Sequence, residues 1–178
     1  MAGMENFVLD VDGVLTDGGS WSFECWVTPT SNWAANTAVP VAALKPYFVV
    51  RWGPAQWGGM RELPMLNVEV EDGKGMPVWL GVHAPCQPGV WYHLAVVYDK
   101  DAPRDNVKVY VNGRLEDFET TPNGRPLASV KDAPGVLEFG QGPFLLDEVR
   151  VSSKSRTLRE LGYPADRDSR SWSDRLRE

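Results

Sequence analysis

A chain of 178 residues, 43% of them hydrophobic, fits one domain with a sizeable core and argues against disorder. Its net charge of -6 argues against a nucleic-acid surface, which clusters Lys and Arg. No apolar run approaches membrane-spanning length, so no membrane insertion is expected. The opening MAGMENFVLDVDG has no basic segment followed by an apolar stretch. No signal peptide is read there, and cytoplasmic assembly or a virion is favoured over classical secretion. Glycine (17) and proline (14) cut the rest into short segments. Strands are predicted at about 6–10, 20–28, 46–52, 65–71, 77–83, 90–98, 106–112, 114–120, 136–140 and 144–152. No helical periodicity precedes Ser155. Short strands between frequent turn signals predict a sandwich or jelly roll.

In chain order, VLDVDGVLTDG at 8–18 comes first. It resembles the first motif of haloacid dehalogenase-type phosphatases, which implies Asp10 as nucleophile and Asp12 as general acid at the end of a parallel strand. The rest of that chemistry is missing: the sequence shows neither helical crossovers nor a late acidic pair on a strand end. Cys25 falls within the next predicted strand and reads as a small buried hydrophobe. Cys86 lies in a Pro-rich turn, and a disulfide between the two is the minority reading.

The segment RWGPAQWGGMRE at 51–62 and the strands after it carry the candidate ligand residues. Sugars stack on exposed aromatic faces while amides and charges grip their hydroxyls. Trp52, Trp57 and Trp79, with Arg51, Asn67 and Glu69, are the candidates to line a concave face. The alternative is that these tryptophans cover a sheet or pack against a partner subunit. Alternation sets Val78, Leu80 and Val82 on one side of their strand and Trp79, Gly81 and His83 on the other. Glu69 and Glu71 in NVEVEDG would share a face, but solvated strand glutamates explain them without catalysis.

From Pro88 to Gly113 the chain reads as two strands, Val90–Tyr98 and Val107–Val111, joined by a polar loop. Asn112-Gly113 follows as a two-residue turn that needs positive φ. His93 lies inside the first of these strands and reads as packed or hydrogen-bonded. LLDEVRVSSKSR at 145–156 closes the strand series. Thr157–Leu161 is predicted as a short helix, ended by Gly162 and Pro164. The charged tail 165–178 docks on its own domain through Trp172 and Leu176, or a neighbouring chain holds it.

Three segments together resemble the LamG-like jelly-roll domains of the concanavalin A-like lectin/glucanase superfamily. They are Glu24-x-Trp26 in the early strand, Trp91-x-His93 through Tyr98-Asp99 and Tyr110-Val111-Asn112-Gly113 in the hairpin, and Asp147-Glu148-x-Arg150 near the end. The resemblance covers roughly residues 5 to 160. It implies an all-β antiparallel β-sandwich, a jelly roll of two stacked sheets, with a short C-terminal helical tail. The expected division is a domain over 1–155 and a charged helix or tail over 156–178. Trp26 and Trp91 fall on the family's core positions.

The resemblance also implies a structural calcium, with Asp12, Asp17 and Asp147 as candidate ligands and oxygen donors as the chemistry. The other reading is that Asp147 and Glu148 cap a turn or pair with an arginine. The Glu-x-Asp-x-Glu pattern of the superfamily's retaining glucanases is broken here, with Val70 at the centre and the third acid missing. The expectation is therefore a non-catalytic recognition module for a glycan or a protein surface. The alternative is a structural or decoration subunit of a larger assembly such as a phage virion, with a homo-oligomer formed through the tail. A fold alone does not decide between them.

Overall fold

The computed structural model describes residues 8–11, 14, 19–30, 39–44, 48–54, 64–71, 77–85, 87–102, 106–116, 135–140 and 142–164. Within them the strands are β1 (Val8–Asp10), β2 (Trp21–Pro29), β3 (Val39–Leu44), β4 (Phe48–Pro54), β5 (Pro64–Glu71), β6 (Pro77–Pro85), β7 (Tyr92–Tyr98), β8 (Val107–Val111), β9 (Arg114–Leu115), β10 (Val136–Phe139) and β11 (Phe144–Ser152). They form a six-stranded sheet ordered β1-β10-β3-β4-β5-β6 and a five-stranded sheet ordered β11-β2-β7-β8-β9. Each strand pairing in both sheets is antiparallel.

The two sheets share one core, because period-2 alternation turns one face of each inward. Trp21, Phe23, Cys25 and Val27 of β2 meet Phe48, Val50 and Trp52 of β4, all nearly inaccessible to solvent. Trp21 and Phe23 both contact the Phe48 ring, at centroid distances of 5.4 and 5.6 Å. Cys25 is a free thiol in this core, and burial pushes its pKa up to about 12, with the Glu24 charge adding to the effect. Cys86 lies outside the described residues.

The hairpin read from the sequence is present. Asn112 and Gly113 have φ of 51° and 73°, and Val111 pairs with Arg114 across the two-residue turn. β9 is shorter than predicted, ending at Leu115, and residues 117–134 lie outside the described set. β3 was not predicted, since Pro40 interrupts VPVAAL and proline demotes a strand. The chain accommodates it at a bulge, where the register shifts between Pro40 and Ala42.

The short helix predicted over 157–161 is not formed. Residues 158–162 make a hydrogen-bonded turn, and no helix occurs among the described residues. The helix signals in the sequence were real but stop after one turn. Thr157 and Glu160 bond reciprocally, as in a capping box: the Glu160 N–H donates to Thr157 Oγ1 and the Thr157 N–H to Glu160 Oε2. Gly162, at φ 87°, donates to the Arg159 carbonyl, while the Tyr163 N–H donates to that of Leu158. That pair of bonds is a Schellman stop. No helix in the described residues is long and apolar enough to cross a membrane.

Candidate functional site

Register decides which sequence candidates can act together. In β4 and β5, Arg51 pairs with Asn67, and in β5 and β6, Glu69 pairs with Trp79. Directly paired residues share a face, and so do residues two apart on one strand. Positions 51, 67, 69 and 79 therefore fall on one face of the six-stranded sheet. It is the face opposite Val50, Trp52 and Val68, which are in the core. Gly81 pairs with Asn67 and adds no side chain there. Arg51 is partly exposed. Ala43 and Val49 share this outer face by register but are covered, at 2% and 4% exposure. The candidate face thus borders a closed strip on its β3 side.

Trp52 is a correction. It was expected at the ligand face, yet it is 1% exposed and belongs to the core. The run Phe48-Val49-Val50-Arg51-Trp52 hides its parity, because four of its five residues are apolar. Trp52 shares a face with Phe48 and Val50 and turns inward with them. Trp57 lies outside the described residues, as do Asp12 and Asp17.

The motif residues gather elsewhere, on the outer face of the five-stranded sheet. Glu24 of β2 is buried, and its carboxylate accepts a hydrogen bond from Arg156 in the C-terminal segment. Arg150 of β11 and His93 of β7 each stand 3.5 Å from it. Burial alone would raise the Glu24 pKa. The His93 hydrogen bond and the Arg156 and Arg150 charges outweigh it and hold the carboxyl below its ordinary value. The His93 ring lies between Trp26, at 5.2 Å, and Tyr163, at 5.4 Å. The His93 N–H donates to Asn112 Oδ1, which fixes the turn against β7. Tyr163 in turn lies flush on Gly113, where an added Cβ would sit 2.3 Å from its ring.

These contacts make the motif residues a clasp for the C-terminal segment. Ser22 Oγ donates to the Lys154 carbonyl and accepts from the Arg156 N–H. Leu161 packs on Ala95 and Val97. Arg156 was not singled out from the sequence. The signal for it was Glu24 itself, an acid inside SFECWV that needs a cation once buried. Trp26 and Trp91 are also corrected: Trp26 meets the His93 ring at a tilt of 56° on the outer face, and Trp91 is 41% exposed.

Asp10 lies on β1, which pairs antiparallel with β10 at the sheet edge. The parallel-strand context of the phosphatase motif is therefore not there. Asp147 is exposed, and its Oδ1 accepts the Glu148 N–H at a bulge where Glu148 has φ 47°. This is the turn-capping reading of Asp147. Among the described residues no three His, Cys, Asp or Glu side chains converge, and of the three calcium candidates only Asp147 is among them.

A family model described as the concanavalin A-like lectin/glucanases superfamily matches residues 5–162. No curated protein matches the chain. Among solved structures, a candidate carbohydrate-binding protein from Bacteroides ovatus is similar at 22% identity and TM-score 0.59, over 86% of this chain and 42% of that one. The fourth domain of an extracellular arabinanase from Geobacillus stearothermophilus, solved with arabinotriose, is 23% identical at TM-score 0.51, over 89% and 80%. The botulinum neurotoxin serotype D binding domain is 8% identical at TM-score 0.63, over 90% and 40%. The chain thus spans about two fifths of the length of the Bacteroides and neurotoxin chains. At these identities the likeness is one of fold.

Proposed function

Because the chain belongs to the concanavalin A-like lectin/glucanase superfamily, we propose that it is a non-catalytic glycan-recognition module. The observation that carries the reading is the register of β4, β5 and β6. It brings Arg51, Asn67, Glu69 and Trp79, four of the six residues chosen from the sequence, to one outer face. The residue types at these positions, an aromatic, an amide, a carboxylate and a guanidinium, supply the chemistry that a sugar requires: a flat apolar surface and directional polar partners. A similar fold whose name states carbohydrate binding, and one solved with arabinotriose, support the same reading.

The motif residues Glu24, Trp26, His93 and Asn112 hold the clasp and are left out of the ligand set. Val70 at the centre of the Glu69–Glu71 pair argues for binding over hydrolysis. The test is a broad glycan array on the purified protein, with Trp79→Ala as control and thermal unfolding to verify its fold. Binding by the wild type that the folded variant loses is expected. Silence across the array, or equal binding by the variant, would overturn the reading.

A further inference from the structure

On the other side of the sandwich, the outer face of the five-stranded sheet carries a cavity of about 540 Å³. Its floor is Val97, Asp99, Lys108 and Tyr110, with Val97 and Lys108 directly paired between β7 and β8. Its wall is the segment 155–159. The wall is anchored at three points: Arg156 on Glu24, the Arg156 N–H on Ser22 Oγ, and Leu161 on Ala95 and Val97. The volume falls in the range of small-molecule pockets, which is about 300–1,000 Å³.

The charges in this cavity are unbalanced. Arg156 is committed to Glu24. Lys108 and Arg159 have no ion-pair partner among the described residues. Against these two cations stands one carboxylate, Asp99, whose Oδ1 already accepts the Asp101 N–H at 3.1 Å. Tyr110 is half-buried, and burial raises its pKa, so its hydroxyl remains a proton donor. The Thr157 hydroxyl is engaged with Glu160, while Val97 and Leu158 supply apolar surface.

We propose that this cavity binds a small organic acid, a carboxylate on a compact hydroxylated body. The carboxylate bonds Lys108 and Arg159, the hydroxyls meet Asp99 and Tyr110, and the apolar side of the ligand lies on Val97 and Leu158. A neutral sugar leaves both cations unanswered and is rejected. The site is separate from the β4–β6 face, so each reading stands or falls alone.

The experiment titrates the 15N-labelled protein with sodium glucuronate and, in parallel, with glucose, at constant ionic strength. Saturable shifts at the amides of Tyr110, Thr157 and Leu158 are expected with glucuronate only. Lys108→Gln and Arg159→Gln each weaken the response about tenfold, the scale of one charge-assisted hydrogen bond. Trp79→Ala leaves it unchanged. Equal shifts with glucose, no saturable shifts with glucuronate, or variants that titrate like the wild type would overturn the proposal.

Discussion

Arg156 donates to the carboxylate of Glu24, a residue 132 positions earlier in the chain. The bond joins the C-terminal segment to the middle of β2. Glu24 is 5% exposed at its side chain and Arg156 14%, so each ion depends on the other for its solvation. Removing one partner leaves an uncompensated charge. Glu24→Gln is expected to lower stability by about 3 kcal/mol, read from denaturant unfolding.

The same cluster sets an acid limit. Glu24 and Glu160 both have depressed pKa values in the folded protein. Lys154, followed by the Thr157 amide and hydroxyl, brings Glu160 down to about 2. The stability that they contribute is complete above their ordinary value of 4.5 and is lost as pH falls through the folded values. The gap in unfolding midpoint between wild type and Glu24→Gln therefore narrows over the window below pH 4.5. A gap that stays constant over that window would contradict the assignment.

Gly113 is needed twice, for its positive φ and for the Tyr163 ring lying on it. Gly113→Ala is expected to destabilise by more than about 1 kcal/mol. The double variant Gly113→Ala/Tyr163→Ala removes the clash and recovers part of the loss, while the φ strain stays. Additive losses in that double-mutant cycle would show that the ring does not press on the turn.

Trp52 separates stability from recognition. Trp52→Ala empties a core position and is expected to lower stability by about 3–5 kcal/mol. The conservative Trp52→Phe, where it folds, keeps glycan binding at the wild-type level. Loss of binding in folded Trp52→Phe would return Trp52 to the ligand set.

The sandwich was legible because its signals are local. Asn112-Gly113 dictates a turn, and alternation in Val107–Val111 dictates an inward face, as found in the buried Val107, Val109 and Val111. β3 was hidden because Pro40 looks like a strand breaker until a bulge absorbs it. At the site, the sequence reading failed at Trp52, where apolar residues run together. The clasp and the cavity were least legible. Glu24 bonds Arg156, and Lys108 and Arg159 line one cavity, only after the chain folds back, and nothing in sequence spacing announces it.

The central claim is that the outer face of β4–β6 holds a glycan. Calorimetric titration of the strongest array ligand against wild type, Trp79→Ala, Asn67→Ala and Lys108→Gln tests it most directly. The account predicts that folded Trp79→Ala and Asn67→Ala each weaken binding about tenfold or more, and that Lys108→Gln leaves it unchanged. Wild-type affinity in both folded face variants would contradict it.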